Sequence, residues 1–138
     1  MRIGFTGTSK GMTPEQLRSV RLLLRNGFVE EFHHGDCIGA DSQAHAEAMM
    51  IFTHIYIHPP INKKARAFCK GGTVLKEKSY IERNHDIVNA VDMMIATPKG
   101  NREELRSGTW ATIRYARKQK VKLCIIYPSG RRVTEEEL

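Results

Sequence analysis

Three glycine-bearing stretches of this 138-residue chain carry side chains suited to binding anions. The first, Gly4-Phe5-Thr6-Gly7-Thr8-Ser9-Lys10-Gly11, combines glycines, hydroxyls and an ammonium. Glycines let backbone amides approach a phosphate, the Thr8 and Ser9 hydroxyls can donate to its oxygens, and Lys10 supplies charge. The G-x-x-x-x-G-K-[ST] order is absent, so this is not a Walker A loop. The second stretch runs from His33 and His34 through Gly35, Asp36, Cys37, Ile38, Gly39 and Ala40 to Asp41. Its carboxylates suit ribose hydroxyls, and its imidazoles titrate near neutrality. Asp41 either meets the ligand or caps the next helix. Cys37 either lines a site or packs. A metal would have to pair His33 or His34 with Asp36, Asp41 or His45. Adjacent strand residues point to opposite faces and no closed ligand set is visible, so no metal is expected. The third stretch, Arg106-Ser107-Gly108-Thr109, places a guanidinium, a hydroxyl and a glycine where a helix starts. It is the clearest phosphate cradle in the chain.

Repeated strand-loop-helix units must position these loops. Arg2 to Thr6, Glu31 to His34, Thr53 to Ile57, Val91 to Ala96 and Val121 to Tyr127 read as five short strands. Thr13-Pro14-Glu15-Gln16 carries the signature of a helix start, with Thr13 as N-cap, Pro14 in the first turn and Gln16 as capping-box partner. Leu17, Val20, Leu23 and Leu24 give that helix an apolar face, and Asn26-Gly27 ends it. Ser42 to Met50 suits a helix, Ser79 to Ala90 another with Ile81, Ile87 and Val88 as its buried face, and Gly108 or Thr109 opens a fourth reaching about Lys118. Ile61 to Lys78 lacks periodicity and reads as a long surface loop, a kind usually functional or mobile. Residues 128–138 read as a polar tail or a turn followed by a short helix capped at Thr134. Alternating strands and helices predict a Rossmann-like α/β fold: a parallel sheet of about five strands with helices on both faces. Ligands in such sheets bind beyond the strands' carboxyl ends, where all three glycine-rich loops fall.

Composition bounds the possibilities. A chain of 138 residues with 41% hydrophobic content fits one domain over residues 1–138. No apolar run approaches the roughly 20 residues of a membrane span, so no membrane partner is expected. Residues Met1 to Thr6 already read as a strand, which leaves no room for a secretory signal, and a cytoplasmic protein is expected. Cys37, Cys69 and Cys124 are scattered and odd in number, as befits reduced thiols. The net charge of +7 attracts anions, whether nucleic acid or small phosphorylated molecules. Single-stranded DNA binding is the weaker of these expectations, because aromatic residues for base stacking make up only 7%.

One segment is more specific. Tyr80-Ile81-Glu82-Arg83-Asn84 precedes an Asp-led apolar strand, Asp92-Met93-Met94-Ile95-Ala96, then Thr97-Pro98 and the helix start Arg106-Ser107-Gly108-Thr109-Trp110. This order resembles the SLOG superfamily, which includes the LONELY GUY phosphoribohydrolases and the Rossmann-like core of DNA-processing protein A. The likeness spans most of the chain and implies the same fold. In the phosphoribohydrolases the pattern is M-x-E-R-K followed by P-G-G-x-G-T-x-x-E, whose arginine and final glutamate serve hydrolysis of a nucleotide's N-glycosidic bond. Arg83 matches that arginine and Gly108-Thr109 the Gly-Thr. Thr112 stands where the glutamate would be. A threonine cannot stabilise positive charge on the sugar as a carboxylate can. Glu103, Glu104 and Asp36 are the carboxylates left to replace it.

The expectation is therefore a protein that binds a phosphate-bearing, nucleotide-derived small molecule, of ADP-ribose or cyclic-nucleotide type, as a sensor or sequestering protein. Gly7, Thr8, Ser9, Lys10, Gly35, Asp36, Gly39, Asp41, Arg83 and Arg106 through Thr109 would contact the ligand. The alternative is a nucleotide N-glycosidase in which Arg83, Glu103 and Glu104 serve catalysis. No cofactor is expected, and the resemblance implies a homodimer or larger assembly.

Overall fold

The structure, a computed structural model, describes residues 1–136. Seven strands form one sheet in the order β4-β3-β2-β1-β5-β6-β7. They are β1 (Arg2–Gly7), β2 (Glu31–His34), β3 (His54–Ile57), β4 (Thr73–Val74), β5 (Met93–Thr97), β6 (Lys122–Ile126) and β7 (Arg132–Glu135). All pair in parallel except β7, which runs antiparallel to β6. The helices are α1 (Pro14–Asn26), α2 (Ala40–Ala48), α3 (Tyr80–Ala90) and α4 (Gly108–Lys118). This is the expected Rossmann-like α/β architecture, with two strands more than the five anticipated.

Both extra strands lie at sheet edges, where local sequence signals are weakest. The segment Ile61 to Lys78, expected to be all loop, contains a short 3-10 turn at Lys63–Ala65 and the two-residue strand β4. The segment after Pro128, expected as tail or helix, instead turns at Gly130, whose φ is +89°, and returns as β7. Thr134 caps nothing there; it lies opposite Cys124 in the ladder, and Val133 opposite Ile125. The helix expectation reached into residues 137–138, which lie outside the described residues.

Strand alternation divides the interior into two layers. Ile3, Phe5, Phe32, Ile55, Ile57 and Ile95 face Val20 and Leu24 of α1 and the alanines of α2. Met94, Ala96, Leu123 and Ile125 face Ile87 and Val88 of α3 and Trp110, Ile113 and Ala116 of α4. Helix α1 starts as expected: Gln16 N–H donates to Thr13 Oγ1 at 3.1 Å and Thr13 N–H to Gln16 Oε1 at 3.0 Å. The same Gln16 amide donates to the Pro98 and Ile126 carbonyls at 2.8 and 2.9 Å, tying α1 to the ends of β5 and β6. In α3 the buried positions are Arg83, Ile87 and Val88; Ile81 is 71% exposed, because the stripe through 83 and 87 leaves residue 81 on the outer face.

Two histidines fasten α2 beneath β2. Asp36 N–H donates to His34 Nδ1 at 3.0 Å, so the neutral ring carries its proton on Nε2. That proton is shared with His45 Nδ1 at 2.9 Å, and His45 Nε2–H donates to the Lys70 carbonyl at 2.7 Å. Every ring nitrogen is thus spent. Cys69 lies close enough to complete a three-residue metal-ligand set with these histidines. The hydrogen-bond chain nevertheless leaves no ring lone pair for an ion, and burial pushes the Cys69 thiol up to about 12, away from thiolate.

Burial holds His34 down to about 3 and His58 to about 4, well below the unfolded value near 6.5. Between those values the unfolded chain binds more protons than the folded one. The stabilisation is therefore complete above about pH 6.5 and lost as pH falls toward 4. Asp41, raised by burial to about 6, works in the opposite direction, one group against three histidines, since burial lowers His33 as well. Thermal unfolding at pH 7 and pH 5 should show a lower midpoint in acid, and His34→Gln should flatten that dependence. An unchanged midpoint would count against burial of neutral His34 and His58 rings. At Gly7 a Cβ would run into Thr97 Oγ1 and Ala40 Cβ. Gly7→Ala should therefore cost about 1–3 kcal/mol in urea unfolding; a wild-type midpoint would mean that these neighbours yield freely.

Candidate functional site

A cavity of about 430 Å³ opens at the carboxyl ends of β1 and β2, between the starts of α3 and α4. It lies at the topological switch point: β1 is flanked by β2 on one side and β5 on the other, and the helices following β1 and β5 lie on opposite faces. The volume falls within the range of small-molecule sites.

Two of the glycine-rich loops meet across it. From the first, Gly7, Thr8, Ser9 and Lys10 line the wall. Thr8 is fixed by accepting the Ala40 and Gly11 amides on its carbonyl and the Lys10 amide on its hydroxyl, at 3.0 to 3.1 Å. From the third come Arg106, Ser107, Gly108 and Thr109. Ser107 is the N-cap of α4, its hydroxyl accepting from the Trp110 amide at 3.2 Å. Amides in a helix's first turn have no intrahelical acceptor, so those of Gly108 and Thr109 suit an anion. Lys99 and Glu104, an ion pair at 3.4 Å, also line the cavity.

The second loop forms the floor, but its residues divide. Gly35, Cys37 and Asp41 line the cavity. Gly39 is the actual N-cap of α2, so Asp41 is not; its carboxylate lies inside the first turn and accepts the Gly35 and Cys37 amides at 3.1 and 3.2 Å. Burial raises it to about 6, against the opposing pull of Arg83. The cavity thus contains a carboxyl that can exist in either form near neutrality. Gly39 itself lies outside the lining; its φ of +90° lets the chain press against the Ser9 backbone. Asp36 is fully buried away from the cavity, accepting from Arg66 Nε at 2.8 Å and the Cys69 amide at 2.9 Å. These bonds anchor the long loop and take up both carboxylate oxygens, so Asp36 cannot reach a ligand.

Arg83 lines the cavity yet is only 6% exposed. Its Nη1 donates to the Gly35 carbonyl and, at 3.4 Å, to that of His58, while Nε donates to Asn84 Oδ1 at 2.7 Å. Both terminal nitrogens lie 3.7 Å from Cys37 Sγ. Most of the guanidinium is therefore committed to the protein, leaving Nη2 as the edge with donor capacity to spare.

Of the two loop glutamates expected near the site, Glu103 turns outward and pairs with Arg114 at 2.8 Å, whereas Glu104 reaches the rim. Thr112 is buried and bonds back to the Gly108 carbonyl at 3.0 Å, supplying nothing to the cavity. Trp110 is buried in the α4 layer. Sequence reasoning passed over Tyr80, Asn84 and Lys99 as lining residues. The first two lie in the same helix as Arg83, where Tyr80 has Arg83 at i+3 and Asn84 at i+4 on its own face, and that spacing was the signal that could have found them.

No protein-family profile matches the chain, and no curated protein matches it. Among solved structures it is similar to the molybdenum cofactor binding protein from the phototrophic bacterium Rippkaea orientalis, at 19% identity and a TM-score of 0.69, over 91% of this chain and 75% of that one. It is also similar to TM1055, a structural genomics target, at 13% identity and a TM-score of 0.63, over 89% of this chain and 72% of that one. At these identities the likeness establishes a shared Rossmann-like fold.

Proposed function

We propose that the cavity binds a phosphate-bearing, nucleotide-derived small molecule of the ADP-ribose or cyclic-nucleotide type, and that the protein acts as a sensor or sequestering protein. The observation that carries this reading is the convergence of two strand-to-helix loops on one cavity at the β1/β5 switch point. Hydroxyls of Thr8, Ser9 and Ser107, the first amides of α4 and the cations of Lys10 and Arg106 form a set of donors suited to phosphate oxygens. The fold neighbour named for binding molybdenum cofactor supports small-molecule binding on this framework in general terms.

Asp41 favours a second reading, hydrolysis at a nucleotide's N-glycosidic bond. A buried carboxyl raised to about 6 inside a ligand cavity is the kind of group that acid-base chemistry uses. It would take the place that Thr112 vacates and that neither Glu103 nor Asp36 can fill.

Mass spectrometry of small molecules released from the denatured, purified protein should reveal an intact nucleotide-derived ligand. Hydrogen bonds to charged groups contribute about 1.5–3 kcal/mol, so Lys10→Ala and Arg106→Ala should each weaken binding of that ligand about tenfold or more in calorimetry. Unchanged affinity in both would remove the phosphate assignment. Incubation with AMP, CMP and NAD should leave them intact if the protein only binds; free base that appears with wild type and disappears with Asp41→Asn would instead establish the hydrolase.

A further inference from the structure

On the α3 side of the sheet, α3 and α4 pack over β1, β5 and β6. Over β2 and β3 the outward positions are Glu31, His33, His54 and Tyr56, with His33 stacked on Tyr56 at 4.6 Å between ring centres. Beside them, on the far side of α3 from the first cavity, lies a second cavity of about 430 Å³. Its lining includes His58, Lys76, Lys78, Asp86 and Asn89, and Arg83 forms the wall shared with the first.

Hydrogen bonding fixes the tautomers around His58. The Glu31 carboxylate, which can only accept, lies 2.9 Å from His33 Nε2, so that nitrogen carries the proton. Burial lowers His33 as it does His58, and both rings are neutral at physiological pH. His33 Nδ1 is therefore an acceptor, and the proton in its 2.8 Å contact with His58 Nε2 belongs to His58. That leaves a lone pair on His58 Nδ1 with no partner among the described residues, on a side chain only 6% exposed that lines the second cavity. The relay begins at a carboxylate and ends at an acceptor with no protein partner among the described residues. The buried His34–His45 chain, by contrast, ends on a carbonyl and is closed.

The cations beside this acceptor differ. Lys78 is held by Asp86 at 2.7 Å, while Lys76 forms no ion pair among the described residues. We infer that the second cavity is a separate binding site for a small anion carrying a hydroxyl, of the sugar phosphate class, with His58 Nδ1 accepting from the hydroxyl and Lys76 meeting the anion. The site is independent of a ligand in the first cavity, although Arg83 touches both.

The test is nitrogen-15 NMR of the histidine rings in the full chain, titrated with ribose 5-phosphate and, separately, with ribose and with inorganic phosphate. His58 Nδ1 should resonate as an unprotonated nitrogen and move on addition of ribose 5-phosphate. Lys76→Ala should weaken that response about three- to tenfold, and Lys10→Ala, in the first cavity, should leave it unchanged. His58→Phe should abolish binding, with the exposed Lys76 variant deciding the matter should the His58 variant not fold. A protonated Nδ1 would overturn the inference. So would an equal response to inorganic phosphate, meaning an adventitious ion only, or a response lost in Lys10→Ala and kept in Lys76→Ala, meaning that the sugar phosphate occupies the first cavity.

Discussion

The guanidinium of Arg83 lies beneath α3 and donates to the carbonyls of Gly35 and His58, the residues that immediately follow β2 and β3. The first turn of α3 contributes little apolar packing, with Tyr80 and Ile81 both exposed. This cation therefore holds the helix start against the strand ends. Burying a charge is costly unless it is paired or hydrogen-bonded, and here two carbonyls, the Asn84 amide and the Cys37 sulfur meet it. Gly35 belongs to the same device, because a Cβ there would collide with Arg83 Nη1. Both cavities share this side chain as a wall, so one interaction sets the shape of each.

Alternation along β2 produces two histidine chains from adjacent residues. His34 points into the α1/α2 layer and meets His45; His33 points to the other face and meets His58. Desolvation keeps His33, His34 and His58 neutral, and in a neutral imidazole one nitrogen donates while the other accepts, so each chain has a direction. Direction then depends on the terminal group. The Asp36 amide and the Lys70 carbonyl close one chain on backbone, fixing α2 and the long loop in place. A carboxylate opens the other, which ends in a cavity.

The parallel core was legible because its signals are local: apolar strands followed by glycine, a Thr-Pro-x-Gln helix start and a serine before α4. The edge strands were not, since β4 and β7 owe their state to partners distant in sequence, Tyr56 and Ile57 for one and Leu123 through Ile126 for the other. At the site the same division holds. Thr8, Ser9, Lys10 and Arg106 through Thr109 line the cavity as glycine-rich spacing suggested. Asp36 and Asp41 could not be told apart by type, because only the path of the loop turns one toward Arg66 and the other into the cavity. The positive φ of Asp36, 54°, is the turn that separates them.

The electrostatics of the first cavity also bear on what it can hold. Its lining includes the cations Lys10, Lys99 and Arg106, while the Asp41 carboxyl lies on the floor among amide donors. An anion seated against the loops would disfavour the charged form of a nearby carboxylate, adding to the effect of burial that already raises Asp41 to about 6. Such a ligand would favour the protonated acid, which can donate a hydrogen bond to the sugar or base. Arg83 opposes this by stabilising the carboxylate, but its guanidinium is largely engaged with the backbone and does not form an ion pair with Asp41 among the described residues. An anion seated against the loops would therefore link its own binding to protonation of the buried Asp41 carboxyl on the cavity floor.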